Sequence, residues 1–303
     1  MVTKVGIFNW QQKKIDNLID NYFFGKSDDD DIDYGEKLLE MGKPAAERLF
    51  LALKSGKYDS SGLWLDGLSL LVQICNEVGE ENIINEAFNV FSEDLDIQSL
   101  LFLLNETEGV FHDLIMAKLI KIGRQDLDYL IKEMDSDIET SKPITIVNDP
   151  GVKVQSWFYI SNDYLNLLSQ FKSSPKTIEL LLKWFKDISM GSWRDIVKVL
   201  VDIGSPVVMP LIDFLFDSNE KIRSHAAFAL GRIGDARAIE SLTFVLQNDS
   251  SKDVIRNAAE ALEKTGKSAI NFLISSLHHQ DQRVRKYAAE ALGSLGANSA
   301  LND

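Results

Sequence analysis

The sequence predicts an all-α fold, an α-α superhelix of stacked antiparallel helix pairs. Three observations carry this. Alanine-rich phrases recur about every thirty residues in the last third of the chain. Each is followed by a glycine at a fixed distance. Only 6 prolines and 18 glycines occur in 303 residues, which suits helices joined by short turns.

The repeat reads Ala226-Ala227-Phe228-Ala229-Leu230, then Ala258-Ala259-Glu260-Ala261-Leu262, then Ala288-Ala289-Glu290-Ala291-Leu292. Gly234, Gly266 and Gly296 stand four residues after each leucine, at spacings of 32 and 30, and Gly204 follows Leu200 in the same way. Each unit predicts two helices. Val207 to Phe216 forms a first helix, Asp217 to Glu220 a polar turn, and the second helix aligns Ile222, Ala226, Ala229, Leu230 and Ile233 on one stripe. Paired alanines allow close approach of neighbouring helices, and the glycine closes the helix in left-handed geometry.

These phrases resemble the HEAT repeats, in particular the short HEAT-like repeats of phycobilin lyases. Ile222-Arg223 through Gly234-Asp235 and Val284-Arg285 through Gly296 follow that pattern, over about residues 192–300. The middle unit departs from it: Ile255 stands where arginine is expected, Arg256 comes one place late, and Glu263 replaces the first glycine. The resemblance implies a HEAT-like solenoid.

Upstream, Gly42-Lys43-Pro44 resembles Gly204-Ser205-Pro206, a helix end followed by a proline that opens the next helix. Val78-Gly79 and Ile122-Gly123 suggest two further joints, at spacings of 37 and 44. The expected organisation is an N-terminal helical region of degenerate repeats over 1–139, a loop or small hairpin over 140–160, and C-terminal repeats over 161–303. Thr140 to Val154 carries β-branched residues and an Asp149-Pro150-Gly151 turn. Helices are expected over Trp10–Phe23, which would cap one end, over Asn162–Phe171, and from Pro175 behind a Ser174 cap.

Charge narrows the function classes. The net charge is −14. Residues 1–191 hold 19 Lys and Arg against 32 Asp and Glu, and residues 192–303 hold 13 against 14. An acidic surface repels phosphate, so neither nucleic acid nor an anionic membrane is an expected partner. A basic protein is compatible with it. The single cysteine, Cys75, fits a reducing cytoplasm, and no segment reads as a signal peptide or a membrane span.

No catalytic residue, cofactor or metal ligand is expected. Asp29, Asp31, Asp33 and Glu40 have calcium-loop spacing, but Tyr34 occupies the place of the required glycine. The run therefore reads as a solvated loop at a helix start. Deoxyhypusine hydroxylases share the HEAT-like fold and bind iron through His-Glu pairs, and the chain has no such dipeptide: Ala226 follows His225. His278-His279 reads as a helix end and Cys75 as a buried thiol. Trp157, Trp184 and Trp193 invite a base-reading role of the kind HEAT-like DNA glycosylases use, which the net charge opposes.

The second helices of HEAT solenoids line the concave face, where partners bind. Residues between the apolar positions are predicted there: Arg194, Lys198, Ser224, Phe228, Arg232, Arg256, Asn257, Glu260, Lys264, Lys286, Tyr287 and Glu290. Phe228 and Tyr287 are expected to face solvent as aromatic anchors. The expected function is a non-enzymatic scaffold or adaptor for a protein partner. The alternative implied by the resemblance is a bilin (tetrapyrrole) lyase or lyase-chaperone.

Overall fold

A computed structural model describes residues 4–24, 33–55, 63–93, 95–141, 160–187 and 193–296. Among the described residues every regular element is helical. In chain order the helices are α1 (Lys4–Phe24), α2 (Tyr34–Met41), α3 (Lys43–Lys54), α4 (Leu63–Val78), α5 (Glu81–Phe91), α6 (Ile97–Glu106), α7 (Gly109–Gln125), α8 (Leu127–Ser141), α9 (Asn162–Ser169), α10 (Pro175–Lys186), α11 (Trp193–Ile203), α12 (Val208–Phe214), α13 (Glu220–Ile233), α14 (Ile239–Asn248), α15 (Lys252–Lys264), α16 (Ile270–Ser276) and α17 (Gln282–Ser294). Short 3-10 turns at Ser205–Val207, Ala236–Ala238 and Gly266–Ala269 lead into α12, α14 and α16. The chain divides into two units, 1–137 and 138–303. The expected loop or hairpin over 140–160 falls almost wholly outside the described residues, as do Trp157 and Asp28 to Asp31.

In the first unit α1 to α7 each pack on a neighbour in sequence and on the helix two places away: α1, α3, α5 and α7 form one layer, α2, α4 and α6 another. Amphipathic helices bury their stripe this way without a partner sheet. Leu38, Ala45, Leu49, Leu71, Ile74, Leu100 and Phe111 make the core. Side-chain contacts repeat at similar sequence distances. Arg48 donates to Asp16, 32 residues back, at 2.6 Å; Lys43 reaches Glu80, 37 residues on, at 2.7 Å; Gln98 donates to Glu133, 35 residues on, at 2.8 Å. Asp33 accepts the Glu36 N–H at 3.0 Å and so starts α2. The joint expected at Ile122-Gly123 is displaced. Gly123 is buried inside α7, and the break comes at Asp126, whose carboxylate accepts the Tyr129 N–H at 3.0 Å and opens α8. Glycine tolerates a helix interior, whereas aspartate actively caps.

The second unit repeats more regularly. α12 pairs with α13, α14 with α15 and α16 with α17, and the second helices α11, α13, α15 and α17 pack in succession. Gly234 adopts a φ of 70° and a ψ of 24°, the left-handed geometry that ends α13, and Gly204 and Gly266 likewise take positive φ, of 73° and 77°. Ala226, Ala227, Ala258, Ala259, Ala288 and Ala291 are buried between layers. At Gly231 the approach is closest: a Cβ there would stand 2.8 Å from the Cα of Ala261.

Arginines lock the turns. Arg223 donates to both oxygens of Asp249, at 2.7 and 3.0 Å, and to the Asp217 and Ser218 carbonyls of the turn between α12 and α13. Arg285 does the same to the His279 and Gln280 carbonyls, both at 2.8 Å. The irregular middle unit has buried Ile255 in place of that arginine. Its turn is instead held from both sides, by Arg223 on Asp249 and by Arg283, which donates to the Ser250 carbonyl at 3.0 Å. The missing arginine is thus replaced by its neighbours' guanidinium groups.

Candidate binding face

The layer formed by α11, α13, α15 and α17 carries the residues singled out from sequence. Arg194, Lys198, Arg232, Arg256, Glu260, Lys264, Lys286 and Glu290 are exposed, and Ser224, Phe228 and Asn257 are partly so. Tyr287 is not: it is 8% exposed and belongs to the core. Its register explains this. Aligned on the alanine pairs, Tyr287 falls on the same position as His225 and Asn257. That position looks back at the preceding second helix. Asn257 donates to the Ser224 carbonyl at 3.1 Å and hydroxyl at 2.9 Å, 33 residues earlier. His225 stacks on Trp193, 32 residues earlier, with ring centroids 3.8 Å apart and planes 10° apart. The position joins repeats, and the solvent-facing place expected of Tyr287 is overturned.

His225 and Trp193 form a cluster that the sequence reading did not assemble. Phe228 stands edge-on to Trp193 at 5.5 Å, and Phe185 of α10 meets His225 at 6.3 Å. The Arg194 guanidinium lies over the Trp193 ring at 4.5 Å. Burial holds the His225 imidazole down to about 4, and the nearby charges of Arg194 and Lys221 push it the same way. His225 is therefore a neutral ring at pH 7, able to stack, in a locally positive field. The signal available in sequence was the register itself: an aromatic residue at the inter-repeat position, one repeat length after a tryptophan. Trp184, by contrast, is a core residue at 1% exposure.

Most other charges on the face are paired within their own helix. Lys198 meets Asp195 at 2.7 Å, Arg256 meets Asp253 at 3.1 Å and Glu260 at 3.9 Å, Lys264 meets Glu263 at 3.5 Å, and Lys286 meets Glu290 at 3.7 Å. Exposed pairs of this kind contribute about 0–1 kcal/mol each and leave the groups available. Among the described residues Arg232 has no such partner. Among the described residues, the region around Trp193 and Phe228 is thus the one place on this face where partly exposed aromatic surface adjoins guanidinium groups without paired carboxylates.

The remaining singled-out residues have structural surroundings. Cys75 is buried, and burial with the Glu80 charge pushes its thiol up to about 12. His279 accepts the Asp281 N–H at 3.1 Å in the turn before α17. Among the described residues no group of three His, Cys, Asp or Glu is placed to hold a metal ion. No helix among them is long and apolar enough to cross a membrane.

Comparison with known proteins places the second unit. Residues 193–263 and 242–303 match the family described as HEAT repeats, so the C-terminal region of the chain consists of such repeats. Phycocyanobilin lyase subunit alpha of Picosynechococcus sp. is 36% identical over 88 residues, which cover 26% of this chain and 33% of the lyase subunit. The chain thus spans about a third of the length of that curated relative. Among solved structures, human deoxyhypusine hydroxylase in complex with glycerol superposes with a TM-score of 0.35 at 15% identity, covering 95% of this chain and 97% of the hydroxylase. A designed armadillo repeat protein gives a TM-score of 0.26 at 17% identity, covering 82% and 99%.

Proposed function

We propose that this chain is a non-enzymatic scaffold or adaptor whose HEAT repeats hold a protein partner on the layer of second helices, centred on Trp193 and Phe228. HEAT repeats are in general protein-binding modules. The observation that carries the reading is the partly exposed cluster of Trp193, His225 and Phe228 beside Arg194 and Arg232. Aromatic and arginine side chains that are already ordered anchor interfaces at low entropic cost. The paired charges along α15 and α17 then serve as a polar rim. Partner recovery on immobilised wild-type chain, compared with the Phe228→Ala, Arg194→Glu, Arg232→Glu triple variant, tests this. About tenfold or greater loss of the recovered protein is expected, with the helical circular dichroism unchanged. Equal recovery would contradict the assignment.

A second reading, a bilin lyase or lyase-chaperone, is favoured by the 36% identity with the phycocyanobilin lyase subunit. Incubation with phycocyanobilin and an acceptor protein, followed by denaturing electrophoresis, separates the two. Covalent, fluorescent acceptor would establish the lyase. Acceptor that stays colourless leaves the adaptor reading.

A further inference from the structure

A different surface of the second unit has the makings of a separate docking site. Met209 is 54% exposed, and Phe216 and Phe244 are each 55% exposed. Met209 lies on α12, Phe216 in the turn that follows it, and Phe244 on α14, so all three belong to the layer of first helices. The two rings meet at a centroid distance of 5.9 Å, which makes one continuous apolar patch across two repeats. Large apolar side chains scattered singly are ordinary on a surface; two exposed rings in contact across two repeats, with a third exposed apolar side chain on the same layer, mark an interaction site.

The charges around the patch select its occupant. Asp213 lies one helical turn after Met209 on α12, and Glu240 one turn before Phe244 on α14; both are exposed. Neither carboxylate has an ion-pair partner among the described residues, and neither α12 nor α14 contains a lysine or arginine. Two basic groups on adjoining elements are already engaged: Lys186 with Asp217 at 3.3 Å, and Arg237 with Asp235 at 2.7 Å. We infer that this patch binds a basic amphipathic helix of a partner protein, whose apolar stripe covers Met209, Phe216 and Phe244 while its lysines or arginines meet Asp213 and Glu240. An anionic lipid surface is repelled by those carboxylates. A two-fold contact with a second copy would bring the same carboxylates towards each other.

The test uses the full chain and a fluorescent amphipathic helix of about 18 leucine and lysine residues, long enough for five turns, with binding followed by anisotropy. The wild type is expected to bind it. Phe216→Ser with Phe244→Ser should weaken binding about tenfold by removing the apolar contact. Asp213→Lys with Glu240→Lys should weaken it and shift preference towards a leucine–glutamate helix. Trp193→Ala with Phe228→Ala should leave it within about twofold, because the two sites are separate. The inference is overturned if the peptide does not bind, if a serine–lysine peptide of equal charge binds as well, or if the serine variant binds as the wild type does. Self-association of the chain that the serine variant abolishes would assign the patch to a second copy and equally overturn it.

Discussion

The two units alternate their helices in the same way yet fill the space between successive helices by different means. In the first unit the gap is filled by rings and long side chains: Phe50 meets Phe91 at 5.9 Å, Trp64 meets Phe91 at 5.1 Å, and Phe88 meets Phe111 at 5.8 Å. In the second unit alanines do this work, and Gly231 lies directly against Ala261. Large side chains can adjust rotamers, so helix lengths and spacings vary freely around them. Backbone contact allows no such adjustment and fixes a register. Charge follows the same division. Residues 1–137 hold 13 Lys and Arg against 27 Asp and Glu, whereas residues 138–303 hold 19 against 19. The whole acid surplus therefore lies on the irregular unit.

The largest predicted difference concerns the two arginine–aspartate contacts. Side-chain exposure is 15% for Arg223 and 7% for Asp249, against 34% and 41% for Arg48 and Asp16. Burial alone would raise the Asp249 carboxyl, but the Arg223 guanidinium and the Ser250 and Ser251 N–H groups bring it below its usual range. Arg223→Ala leaves the largely buried Asp249 carboxylate without its cation, held only by the Ser250 and Ser251 N–H groups, and frees the Asp217 and Ser218 carbonyls of the turn; it should cost about 3 kcal/mol in urea unfolding. Arg48→Ala, in the first unit, should cost about 1 kcal/mol or less. Equal losses would erase the contrast between a locked turn and a surface pair.

A somewhat smaller effect is expected from His225. Its folded-state value, about 4, lies below the 6.5 of a free imidazole. The folded chain thus binds the proton less well than the unfolded chain. The stabilisation is complete above about pH 6.5 and is lost as the pH falls towards 4, by about 2–3 kcal/mol. Unfolding free energies across that window, in wild type and in His225→Phe, measure it. The phenylalanine keeps a ring against Trp193 and should flatten the curve.

Legibility in the sequence followed the packing mode. Where glycine and alanine fix the register, as around Ala226 and Gly234, the repeat was plain from residue spacing alone. Where volume is supplied by whichever large residue fits, as at Phe50, Phe91 and Phe111, no spacing betrays it. Gly123 misled for this reason: it reads as a joint, but Asp126 makes the joint. The proposed binding face was half legible. Exposed positions such as Arg194, Arg232, Glu260 and Lys264 follow from helical periodicity. Tyr287 and His225 required knowing that their shared position looks back to the previous repeat. The patch at Phe216 and Phe244 was hidden because apolar residues on a first helix read as core.

The smallest effect tests the register most directly. A Cβ at Gly231 meets the Ala261 backbone at 2.8 Å, one at Gly67 in the first unit meets the tip of the Phe23 ring at 2.4 Å, and one at Gly293 meets nothing within 4 Å. Urea unfolding of the three glycine-to-alanine variants compares them on one scale. Gly231→Ala should lose about 1–2 kcal/mol because two helices must separate, and Gly67→Ala less because it meets a side-chain tip, which a χ1 shift of Phe23 can move, rather than backbone. Gly293→Ala should gain about 0.5–1 kcal/mol from helix propensity alone. Equal stability of Gly231→Ala and Gly293→Ala would contradict a second unit built on backbone contact between repeats.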